Sequence, residues 1–147
     1  MKQLFVLILL SLFLSGCSST ENAPLNPIVS GNITPAPSLQ GTWNLTKVSG
    51  GIAGINEVLG PGQIQWVFDV ELSSLTVDNQ KADGPMYTGV ESGSHPYNLF
   101  KQNQANYLFV QDREIGRVVI VDGMLQINGN ERSDGSGADF YLFTFTR

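Results

Sequence analysis

From Gln63 to Glu71 the chain reads QIQWVFDVE, in which Ile64, Trp66, Phe68 and Val70 alternate with Gln65, Val67, Asp69 and Glu71. Successive side chains of a strand point to opposite faces, so this period of two describes a half-buried strand and leaves no continuous apolar stripe for a helix. The same period returns in ANYLFVQ, GRVVIVD, GMLQING and ADFYLFTFTR. Asp122-Gly123, between two of these stretches, supplies the positive φ angles of a type I′ hairpin turn. NGNERSDGSGAD reads as a longer, more mobile loop, and GINEVL, residues 54–59, as no more than a turn of helix. Residues 39–147 are one domain by length. Eight or nine short strands must hide their edges, which predicts an all-β fold: an antiparallel up-and-down β-barrel of about eight strands, with a β-sandwich as the alternative.

The first residues follow a different logic. Met1 and Lys2 give a short positive start, residues 4–14 (LFVLILLSLFL) an apolar core, and Ser15 and Gly16 a small-residue cleavage point. This is the pattern of a secretory signal peptide over residues 1–16, and the apolar run is too short for a membrane span of about 20 residues. Leu14, Ser15, Gly16 and Cys17 resemble the lipobox of bacterial lipoproteins, which implies cleavage before Cys17 and acylation of its thiol. Each buried methylene contributes about 0.8 kcal/mol, so two or three chains hold a soluble domain at a membrane where one would exchange. Residues 17–38, rich in Ser, Asn and Pro, read as an extended tether. Ser18 lacks the aspartate that retains many such proteins at an inner membrane, so the expected address is the outer membrane of a bacterial envelope.

Cys17 is the only cysteine. No internal disulfide can form, and the domain must stand on its apolar core. Without Lys2 the chain keeps seven basic against thirteen acidic side chains, a net charge near −6. Nucleic acid is excluded as a partner, because phosphate recognition needs clustered Lys and Arg.

The opening strand LQGTWNLTKVSGG, with Gly41, Thr42 and Trp43 as a Gly-x-Trp unit, resembles the first strand of the lipocalin and wider calycin families, and FYLFTFTR resembles their last. The resemblance implies a barrel closed by an arginine packed on the first-strand tryptophan, here Arg147 on Trp43. It also places SGGIAGINEVLGPGQ across the barrel mouth as a lid between the first two strands.

Catalytic chemistry is scarce. His95 is the only histidine, lies in SGSHPYN and reads as an exposed loop residue. Asp112, Arg113 and Glu114 read as a charged hairpin tip rather than as an acid–base pair. Asn128, Asn130, Asp134 and Asp139 offer oxygen ligands, but their spacing departs from the calcium loop with its acidic twelfth position. No metal site, cofactor motif or enzyme activity is assigned.

An eight-stranded barrel has room for a filled core or for one small ligand. Its aromatic side chains could do either. The functional expectation is a lipid-anchored binder of a small hydrophobic or amphipathic ligand, with Trp66, Phe68, Tyr107, Phe109, Tyr141 and Phe143 as the ligand-binding residues. The rival is a protein-binding module, such as an inhibitor of an envelope hydrolase, acting through NGNERSDGSGAD and SGSHPYN. The anchor is tested by Cys17→Ala, which is expected to abolish fatty-acid labelling and membrane attachment in a bacterial host while the barrel still folds. Labelling that persists in the alanine variant would contradict the lipobox.

Overall fold

The structure, a computed structural model, describes residues 38–81 and 89–147. Eleven strands run in chain order: β1 (Gly41–Gly50), β2 (Ile55–Val58), β3 (Ile64–Asp69), β4 (Ser74–Asn79), β5 (Gly93–Gln102), β6 (Ala105–Val110), β7 (Arg113–Val121), β8 (Met124–Asn128), β9 (Glu131–Arg132), β10 (Gly135–Ser136) and β11 (Tyr141–Thr146). Eight of them form the ring β1-β3-β4-β5-β6-β7-β8-β11, and the antiparallel β1–β11 pairing closes it. The protein is thus an all-β, closed up-and-down barrel and not a sandwich. β2 adds a ninth strand beside β1, while β9 and β10 form a separate two-stranded ribbon.

Two irregularities shape the wall. β1 is bulged at Thr46, between the pairs Leu45↔Phe145 and Lys47↔Thr144. An extra residue resets the alternation, so Trp43 and Leu45 are buried before the bulge and Val48 after it. At this point β1 also changes partner on its other edge: Gly41–Asn44 pair with β3, and Lys47–Gly50 pair with β2. Leu59, buried between β2 and β3, donates its backbone N–H to Thr46 O at 2.8 Å. GINEVL is therefore mainly strand, because β1 offers its unused edge to Ile55–Val58. SGGIAGINEVLGPGQ is correspondingly a hairpin laid along β1 and no lid.

The second bulge is in β7, where Phe109 pairs with Glu114 and Leu108 with Gly116, leaving Ile115 over. Gly116 makes this possible at φ 148°, since a Cβ there would stand 2.2 Å from Asn128 O. The connections obey turn chemistry. Asp122 and Gly123, at φ 50° and 75°, make the two-residue turn expected between β7 and β8. Asn103 and Gln104 make the equivalent turn between β5 and β6 at φ 49° and 65°.

The interior is filled at mid-height. Trp43, Trp66, Phe68 and Phe145 are almost completely buried and belong to one apolar cluster with Leu45, Leu75, Leu108, Leu125 and Ile127. Burying one such aliphatic or Phe side chain contributes roughly 1.5–3 kcal/mol. Trp66 touches Phe68, Phe143 and Phe145 at centroid distances of 6.1, 6.4 and 5.1 Å. At the base, Trp43 Nε1 donates to Leu39 O at 2.7 Å, and the Arg147 guanidinium lies over the Trp43 ring, 4.5 Å from its centroid. Arg147 also donates to Ser38 O at 2.7 Å and to Gln40 O at 3.3 Å. One side chain thus ties the last strand to the segment entering the first.

A cation–π contact at a partly exposed site is worth about 0.5–1 kcal/mol. Arg147→Met should lower the melting temperature by several degrees, since about 1 kcal/mol shifts Tm by roughly 4–8 °C in a domain near this size. A double-mutant cycle with Trp43→Phe should show coupling between the two positions. Coupling near zero would mean that the contact adds nothing to closure.

Candidate functional site

A hollow opens at the barrel end opposite Trp43 and Arg147. It encloses about 570 Å³ and is lined by Gly89, Arg113, Glu114, Ile115, Gly129, Arg132, Phe140, Tyr141 and Phe143. That is within the ~300–1,000 Å³ usual for small-molecule sites. Phe143 and Tyr141 come from β11, their rings 6.2 Å apart. Ile115 lines it as well, the residue that the β7 bulge leaves without a pairing partner. Gly89 closes against Phe143, and its neighbour Val90 is buried among the core residues.

The polar side of the hollow is built by the start of β7 and by the connection between β8 and β11. Arg132 stacks over the Phe140 ring, its guanidinium carbon 5.1 Å from the centroid. It donates to Glu114 O at 3.4 Å and is 3.7 Å from Glu114 Oε2. Ser133 supplies the closer contacts to that carboxylate: its N–H donates at 2.7 Å and its hydroxyl at 2.9 Å. Glu114 is accordingly buried and satisfied, not exposed on a hairpin tip. Arg113 remains exposed, and its guanidinium donates to Gly89 O. Two guanidiniums and one carboxylate, itself committed to the ribbon, therefore border an aromatic wall.

The connection expected to be a mobile loop is instead tied down near both of its ends. Asn130 Oδ1 accepts from Phe140 N at 3.0 Å, and Asn128 Oδ1 accepts from Asn130 N at 3.1 Å. Glu131 accepts from Arg117 at 2.5 Å and from Asn128 at 2.8 Å. The hydrogen bond from Arg117 holds the Glu131 carboxyl below the usual carboxylate range. The amide oxygens considered for calcium are thus engaged with the connection's own backbone. Among the described residues no group of three or more His, Cys, Asp and Glu side chains converges on a point.

The six aromatic residues expected at a ligand separate into three groups. Tyr141 and Phe143 line the hollow. Trp66 and Phe68 are core residues with no exposed surface. The Trp66 indole N–H is buried without an acceptor among the described residues, which costs about 1–3 kcal/mol. Tyr107 and Phe109 are on the outside of the wall, because Leu108 and Val110 take the inward positions of β6. Arg113, Ile115, Arg132 and Phe140 were not anticipated; only the proximity of Phe140 to Tyr141 in the chain hinted at any of them.

His95 stands on β5 rather than in a loop, with Nε2 2.9 Å from Glu91 O and Nδ1 3.4 Å from the Gln111 amide. Asp112 is exposed at the turn between β6 and β7. A second hollow of about 490 Å³ opens at the Trp43 end, lined by Ser38, Leu39, Val70, Tyr97, Leu99, Asn106, Val118 and Ile120. None of the six expected aromatics reaches it. Burial, with Asp69 adding to the effect, pushes the Tyr97 hydroxyl above its ordinary pKa.

Comparison with known proteins finds no family model, no curated protein and no solved structure that matches this chain.

Proposed function

We propose that this protein is a non-enzymatic, lipid-anchored binder of a small amphipathic molecule, held at the rim of the barrel rather than along its axis. The observation that carries the reading is the 570 Å³ hollow, in which Phe140, Tyr141, Phe143 and Ile115 face Arg113 and Arg132. An apolar wall beside guanidiniums suits a ligand with a hydrocarbon body and an acidic or strongly polar end. The filled mid-section argues against a ligand threaded deeper. Cys17, acylated after removal of residues 1–16, would hold the chain at the outer membrane of a bacterial envelope through the tether 17–38. The lipocalin-like and calycin reading belongs to the same proposal, supported by the up-and-down ring and by the packing of Arg147 on Trp43.

The protein-binding alternative has one observation on its side, the well-held ribbon β9–β10. Its other expected contact, SGSHPYN, is largely part of β5 and paired to β4.

Native mass spectrometry of the chain extracted from bacterial membranes should detect one small molecule per protein. Arg113→Ala should weaken its retention about tenfold or more, the effect of losing one charge-assisted hydrogen bond of roughly 1.5–3 kcal/mol. Repeated absence of any bound molecule, or retention indifferent to both Arg113→Ala and Tyr141→Ala, would overturn the proposal.

A further inference from the structure

The outside of the wall carries a separate surface of different chemistry. Phe100 on β5 stands opposite Tyr107 on β6 in the register, and it meets Phe109 edge-on with centroids 6.2 Å apart. Because Leu108 and Val110 face inward, all three rings lie on the solvent side, and Phe100 is 47% exposed. Rings placed there contribute little to the core, so a contiguous strip of them points to an interaction.

The strip ends in a cleft. Tyr107 forms one wall of a trough of about 410 Å³ whose other lining includes Gln102, Asn103, Glu131, Ser133 and Asp134. Its far wall is the ribbon, fixed by the bonds of Glu131 to Arg117 and Asn128 and of Ser133 to Glu114. Its near wall is Gln102 and Asn103, the latter held at positive φ in the turn between β5 and β6. The ribbon side of the trough is thus held in place, which limits the ordering that a ligand would have to impose.

We propose that this cleft and strip bind a neutral oligosaccharide. A sugar ring has two kinds of surface: an apolar face of C–H groups, which stacks on the electron-rich face of an aromatic ring, and a rim of hydroxyls that both donate and accept. Phe100 and Tyr107 supply the first contact. The amides of Gln102 and Asn103 and the carboxylate of Asp134 supply the second, since planar amides and carboxylates can bridge neighbouring hydroxyls. The mostly polar lining does not suit a hydrocarbon tail, and its carboxylates, Glu131 paired with Arg117 and Asp134 near Arg132, leave no free cation among the described lining residues for an acidic glycan. Arg132, the cation lining the trough, is shared with Glu114 and Asp134. The strip leading from Phe109 to the trough gives room for further sugar units beyond the one in the cleft. The trough opens on the outer wall and, among the described residues, shares only Arg132 with the lining of the rim hollow.

Affinity electrophoresis of the full chain in a polyoxyethylene detergent, through native gels containing soluble β-glucan, mannan, xylan or galactan, tests the proposal. At least one of these neutral polymers should retard the protein. Phe100→Ala and Asp134→Ala, both surface changes that leave the core untouched, should each weaken retardation about tenfold, measured for each variant against its own mobility in gels lacking polysaccharide. The proposal falls if none of the four polymers retards the chain, if retardation survives in the double variant, or if only a charged polymer such as alginate or a peptide ligand is bound at these residues.

Discussion

The pairing of β1 with β11 is the interaction on which the remaining structure depends. It joins strands from opposite ends of the domain, so its loop-closure cost is carried by burial on the inner face and by the ladder itself. Val48 opposes Phe143 and Leu45 opposes Phe145 across this seam. Without it, β1 and β11 would be bare edges and the apolar faces of eight strands would have no common interior. The Thr46 bulge lets one strand serve both ends of the barrel: it turns β1 so that Trp43 fills the base while Gly50 reaches the rim beside Tyr141. Arg147, lying over Trp43 and bonded to the entering segment, secures the base where the ladder runs out.

Closure around two tryptophans and two fully buried phenylalanines leaves the barrel axis filled. Space that a wider barrel would offer along its axis is occupied here by Trp43, Trp66, Phe68 and Phe145. The hollows lie instead at the periphery, where strands end and connections cross. The rim hollow depends on the β7 bulge, which directs Ile115 to the hollow and Glu114 toward the ribbon. Through Ser133 and Arg132 that buried carboxylate organises the ribbon, and the ribbon in turn forms one wall of the hollow and one of the outer cleft. A single acidic side chain therefore links the rim to the outer wall.

Much of the barrel was legible in the sequence because alternation over Ile64, Trp66 and Phe68 admits only one buried face. Asp122-Gly123 left little choice of turn. β6 was not legible in the same way: ANYLFVQ carries Tyr107 and Phe109 on one face and Leu108 and Val110 on the other, so both faces are apolar and the period cannot say which is inside. The bulge at Ile115 was equally hidden, since a one-residue insertion in a pairing is a property of two strands together. β2 escaped because INEV has no strand-like apolar face of its own and exists through the spare edge of β1. The ribbon escaped because its order comes from side chains that bond to backbone, in a stretch whose composition resembles any polar loop.

The mid-section is solid, and the ligand proposed for the rim would sit next to Phe143. Trp43 and Trp66 are the only tryptophans, so fluorotryptophan labelling gives a spectrum of two signals, assignable by Trp43→Phe. Comparison of ligand-stripped and ligand-loaded protein by fluorine NMR should move the Trp66 signal, whose ring packs on Phe143, and leave the Trp43 signal beneath Arg147 in place. Large shifts of both signals would place the ligand along the barrel axis and contradict the account.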